Sequence, residues 1–94
     1  MVRKTMIDLD VTRQKIDAID ADLVALLEER MQLVNDVVAY KKTVGKPILD
    51  TSREHAVLQK VADKVQEKAF EDTIVNTFSD IMKRSRDYQA TQID

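Results

Sequence analysis

The stretch at residues 8–42, DLDVTRQKIDAIDADLVALLEERMQLVNDVVAYKK, decides how this chain folds. Ile16, Ile19, Leu23, Leu26, Leu33, Val37 and Tyr40 recur three and four apart. That is the period at which side chains line one face of an α-helix. Leu9 carries the stripe backward, and Leu27, Val34 and Val38 widen it. Asp8 or Asp10 can cap the start. The spacing predicts a first helix over about 8–42. The single Gly and single Pro of the chain both fall in the segment that follows, KTVGKPILD, so a loop is expected at 43–50.

Working outward, TSREHAVL (residues 51–58) opens a second helix, expected over about 51–66. Thr51 and Glu54 fit the S/T-x-x-E capping box, in which each side chain bonds a free N–H of the first turn. Val57, Leu58, Val61 and Val65 supply its apolar face. A third helix is expected over about 71–90, with Ile74, Phe78, Ile81 and Met82 as its stripe. The join at Lys68–Glu71 carries no strong turn signal. The fold class is therefore all-α, one domain over residues 1–94, with one long helix and two shorter ones.

Composition narrows the function classes. With 44% hydrophobic and 34% charged residues, the chain suits a well-patterned helical protein rather than a disordered one. A net charge of −2 gives no basic excess to argue for nucleic acid. The local cluster MKRSR (82–86) reads as a solvated helix face. There is no Cys, so disulfides, thiolate catalysis and Cys-based zinc sites are excluded. No apolar run approaches the ~20 residues of a membrane span, and no signal-peptide pattern opens the chain, so a cytoplasmic location is expected.

The first helix is about 50 Å long at 1.5 Å per residue. A compact domain of this size has a radius of gyration of about 12–13 Å. Two shorter helices cannot cover all of so long a stripe. A second copy of the same helix is the simplest cover, so a homodimer with paired long helices is expected. The alternative is a monomeric three-helix hairpin with an exposed helix end.

Position 30 interrupts that stripe. Arg30 stands where Leu or Ile is expected, and a buried cation needs a partner. It can pair with a Glu, snorkel outward, or await an anion. Lys41, eleven residues on, lies about 20° around the helix and about 16 Å along it. The two charged ends can therefore converge on one small ligand. Arg13, seventeen residues before Arg30, is about 25 Å away and about 100° around, out of reach of that ligand from the same straight helix. In an antiparallel dimer it can stand beside Arg30 of the other copy. The third helix repeats the pattern, with Ser85 and then Gln89 on its stripe. Each has a structural reading: Ser85 can bond back to its own helix, and Gln89 can sit near a frayed end. Together, Arg30, Lys41, Ser85 and Gln89 describe a polar, positively balanced pocket inside a bundle, suited to a small anion.

These residues carry a resemblance. TRQKIDAIDADLVALLEERMQLV (12–34) and YKKTVGKPILDTSRE (40–54) resemble the all-helical chorismate mutases, the type II or AroQ class. The likeness runs from about Ile7 to Gln89. The arginine of the R-x-x-I-D-x-I-D opening falls on Arg13, and that of L-L-x-E-R on Arg30. The lysine six residues before the loop proline falls on Lys41. Pro47, Ile48, Asp50, Arg53 and Glu54 form the P-[IV]-x-D-x-x-R-E segment. The Ser and Gln of the last helix fall on Ser85 and Gln89.

The resemblance implies an intertwined homodimer with two sites, each taking Arg13 from the opposite subunit. It implies the Claisen rearrangement of chorismate to prephenate, in phenylalanine and tyrosine biosynthesis. By that likeness Arg13 and Arg30 grip the carboxylates with Ser85 nearby, and Arg53 adds charge. Lys41 and Gln89 meet the ether oxygen. Glu54 and the backbone N–H of Asp50 hold the substrate hydroxyl.

A [3,3] rearrangement needs no nucleophile, metal, cofactor or proton transfer, which suits a chain with no Cys and the single His55. That histidine is expected to face solvent. Two rivals stand beside this reading: an isochorismate-pyruvate lyase on the same fold, and a non-catalytic helical regulatory or interaction module. The loop length and the complete Lys41-to-Arg53 spacing favour the mutase over the first. The second has no need of Arg30, Lys41, Ser85 and Gln89 together.

Overall fold

The computed structural model describes residues 7–93, and every regular element among them is helical. Helix α1 spans Leu9–Val44, α2 spans Thr51–Lys64 and α3 spans Glu71–Gln92. A single 3-10 turn, Lys68–Phe70, leads into α3. No helix among the described residues is long and apolar enough to cross a membrane.

Asp8 caps α1: its carboxylate accepts from the backbone N–H of Asp10 at 2.9 Å and of Val11 at 3.2 Å. The helix ends two residues beyond the expected 42. Gly45 follows its last turn at φ +71°, and Lys46 N–H donates to Lys41 C=O at 3.0 Å. That six-to-one bond over a left-handed glycine is a Schellman ending, and Pro47 then prevents continuation.

The start of α2 corrects the expected cap. Asp50, not Thr51, is the N-cap, and its carboxylate accepts from Arg53 N–H at 3.0 Å. Thr51 is already inside the helix, so the capping box with Glu54 does not form. The physical reason is competition: the Glu54 carboxylate is taken by a cation from α3, a stronger partner than a first-turn amide. α2 also stops earlier than the expected 66, because Val65 turns extended at ψ 120°. The join without a turn signal is the 3-10 turn. It is held by Lys68, whose Nζ donates to Ala62 C=O at 3.0 Å and meets Glu71 at 3.1 Å.

Packing divides the chain at Leu33 into two units. The first, through Leu33, is the N-terminal part of α1. Its apolar stripe is open: Leu26 is 60% and Leu33 59% exposed, and Ile16, Ile19 and Leu23 are exposed too. The second unit, from Val34 on, holds the end of α1, α2 and α3. Val34, Val38 and Met82 form its buried apolar centre. α2 packs along α3 through half-buried Val57, Leu58, Val61, Ile74 and Phe78. The end of α1 meets α3 through long polar side chains, with Tyr88 Oη donating to Asn35 Oδ1 at 2.6 Å.

Candidate active site

In the Val34–Ile93 unit, the polar residues that interrupt the helix stripes come together. Ser85 and Gln89 are buried on α3, 5% and 7% exposed, one turn apart. Gln89 Nε2 lies 3.5 Å from Ser85 Oγ, at the outer limit of a hydrogen bond. Its Oε1 accepts from Lys41 Nζ of α1 at 3.4 Å. Lys41 also donates to the carbonyl of Ile48 at 2.6 Å, which ties the Gly-Pro loop to the end of α1. Half-buried Lys41 and buried Gln89 and Ser85 thus form one connected polar line.

The chemistry of that line follows from counting donors. An ammonium carries three N–H groups, and two of Lys41's are directed at Ile48 and Gln89. The third has no partner among the described residues. With the Gln89 carbonyl turned to Lys41, its NH₂ faces the Ser85 side, and only one of its two N–H groups is needed there. Among the described residues no buried side-chain nitrogen or oxygen lacks a partner. The line offers two donors, one cationic and one neutral.

Three further sequence candidates sit at the start of α2. Asp50 uses its side chain as the cap, leaving its own backbone N–H on the loop side. Arg53 is exposed and lines a groove of about 670 Å³ between α2 and α3, with Val57, Lys60, Val61, Phe70 and Phe78. That groove does not include Lys41, Ser85 or Gln89. Glu54 is half-buried, and both its oxygens accept from Arg86 Nη1, at 2.5 and 2.6 Å. Arg13 and Arg30 belong to the first unit; Arg13 is exposed and Arg30 half-buried. Neither makes a salt bridge to a described residue. His55 is exposed.

Two features escaped the sequence reading. The Ile48 carbonyl left no mark, since a backbone group has no residue type. Arg86 was absorbed in the MKRSR cluster. The solvated-face reading suits Lys83 and Arg84, which are exposed and meet Asp87 on their own helix at 3.1 and 3.6 Å. It fails for Arg86, which turns inward to α2, whereas Met82 and Ser85 are buried on the stripe where their spacing puts them. No residue-level signal separated Arg86 from Arg84, since both adjoin Ser85.

The fold is all-helical, and a line of Lys41, Gln89 and Ser85 crosses from α1 to α3 in it. The family model described as chorismate mutase type II matches residues 12–90, and the chain belongs to that family. A chorismate mutase of Methanocaldococcus jannaschii is 28% identical to it over 83 residues, covering 87% of this chain and 84% of that protein. No solved structure gives a significant match. The chain's activity is that of a chorismate mutase, an isomerase of aromatic amino acid biosynthesis.

Proposed function

We propose that Lys41 and Gln89 stabilise the transition state of the rearrangement of chorismate to prephenate. The observation that carries this is the Lys41–Gln89–Ser85 line, half-buried at Lys41 and buried at Gln89 and Ser85, with an N–H to spare on Lys41 and on Gln89. Chorismate is a flexible dianion. Holding it in its compact chair removes an entropic part of the barrier. As the C–O bond breaks, negative charge gathers on the ether oxygen. Donors fixed in a buried site stabilise that charge more than they stabilise the ground state. Gln89 donates without titrating, so activity is expected to vary little from neutral to mildly alkaline pH.

Arg13 and Arg30 grip the two carboxylates, for which a planar guanidinium is suited, with Ser85 close by. Arg53 adds positive charge. Asp50 N–H and Glu54 hold the ring hydroxyl; a carboxylate has about four acceptor positions, so Glu54 retains capacity beside Arg86. The enzyme works as a homodimer in the cytoplasm, with Arg13 supplied in trans. The exposed apolar stripe of the first unit supports that assembly: solvated Leu and Ile side chains at helical spacing are what a second copy covers. The test is Arg30→Ala. It should keep its helical circular dichroism and lose roughly 100-fold or more in kcat/KM. Activity at the wild-type level would remove Arg30 from the site.

A further inference from the structure

We propose that Arg86 is a positioning residue for Glu54: its guanidinium orients, and offsets the charge of, a carboxylate that reads the substrate hydroxyl. This rests on the assignment of Glu54 to that hydroxyl. Arg86 is not among the motif positions that carry the family resemblance.

The pair differs from every other ion pair among the described residues. Lys83–Asp87 and Arg84–Asp87 join side chains of one helix that are more than half exposed, and Lys68–Glu71 joins neighbours in sequence. Such contacts are screened and worth little. Arg86 and Glu54 are 32 residues apart, join α3 to α2, and are only 30% and 22% exposed. One nitrogen is held between both carboxylate oxygens, which fixes the plane of the carboxylate.

Glu54 poses an electrostatic problem in a site for a dianion. A bare carboxylate near two substrate carboxylates repels them, most strongly where water is thin. Arg86 places a positive charge within hydrogen-bond distance of that carboxylate and leaves two of its acceptor positions open. Glu54 can then accept from a neutral hydroxyl without opposing the anion that carries it. Lys83 and Arg84 are occupied with Asp87 and cannot take its place.

Steady-state kinetics of Arg86→Gln, Glu54→Gln and the double variant test this, with circular dichroism and melting temperature recorded for each. Arg86→Gln is expected to raise KM for chorismate about 10- to 100-fold, the range of one charge-assisted hydrogen bond, and to change kcat far less. Arg86→Lys should recover most of that loss, because it restores the charge. The double variant should be no worse than Glu54→Gln alone. Losses that multiply in the double variant overturn the proposal, as does an Arg86→Gln protein with wild-type kinetics and only a lower melting temperature. Glu54→Gln with wild-type kinetics would instead sink the Glu54 assignment beneath it. If Arg86→Gln fails to fold, Arg86→Met, which keeps the apolar stem and removes the charge, serves: it should raise KM similarly, and wild-type kinetics, or a KM rise that persists undiminished with Glu54→Gln, overturns the proposal.

Discussion

On the proposed mechanism, Gln89 is where the chemistry depends on one functional group. Its amide is buried, oriented by Lys41, and a donor at any pH. Replacing it by Glu keeps the shape and makes the donor conditional. A carboxyl donates only when protonated, so Gln89→Glu should lose activity at neutral to alkaline pH and regain it as pH falls toward the protonation of that carboxyl, which burial raises and a neighbouring cation lowers. A pH–rate profile checks this, and a flat profile for the variant would remove Gln89 from the ether oxygen. Lys41, Ser85 and Gln89 were legible in the sequence because each breaks an apolar stripe, and burying a polar group demands a partner. Arg86 was not legible in that way. Its neighbours are also basic, and only the packing of α2 on α3 decides which of them turns inward.

At the scale of elements, the start of α2 carries two separable predictions. Asp50→Ala removes the cap and should cost about 1 kcal/mol in thermal or urea unfolding. Thr51→Ala, inside the helix, should cost less than about 0.5 kcal/mol. The reverse order would return the cap to Thr51. Gly45→Ala forces a side chain onto φ +71° and should cost about 1 kcal/mol, although nothing stands within 4 Å of the added Cβ. The helices themselves were plain in the periodicity, and their ends fell within about two residues of expectation. The ends that shifted did so for local reasons: a Schellman turn lengthened α1, and an extended Val65 shortened α2. The 3-10 turn was hidden because Lys68, Ala69 and Phe70 contain no breaker. A lysine bridge to Ala62 and Glu71 shapes it instead.

For the whole molecule, the proposed dimer makes stability and activity depend on concentration. Leu23→Lys puts a charge on the exposed stripe and should shift sedimentation toward the monomer, with loss of activity in step. Mixing Arg13→Ala with Arg30→Ala subunits tests the shared site. Each variant alone is expected to be nearly inactive, whereas a mixed dimer regains one intact site if Arg13 acts in trans. No recovery after verified subunit exchange would refute that arrangement. The sequence could point to a partner through the mismatch between a long stripe and two short helices. It could not supply the partner's placement, because a stripe records that a face is apolar and not which surface meets it.

The open stripe of α1 has a consequence for how the protein is made. Ile16, Ile19, Leu23, Leu26 and Leu33 are exposed, and in the proposed dimer a newly released chain would carry them in water until it met another. The last step of refolding should then be second order in chain, slowing tenfold in initial rate per molecule for each tenfold dilution. Off-pathway clumping competes for the same greasy face. High local chain concentration during synthesis, or a chaperone that shields one helix, would favour the productive encounter.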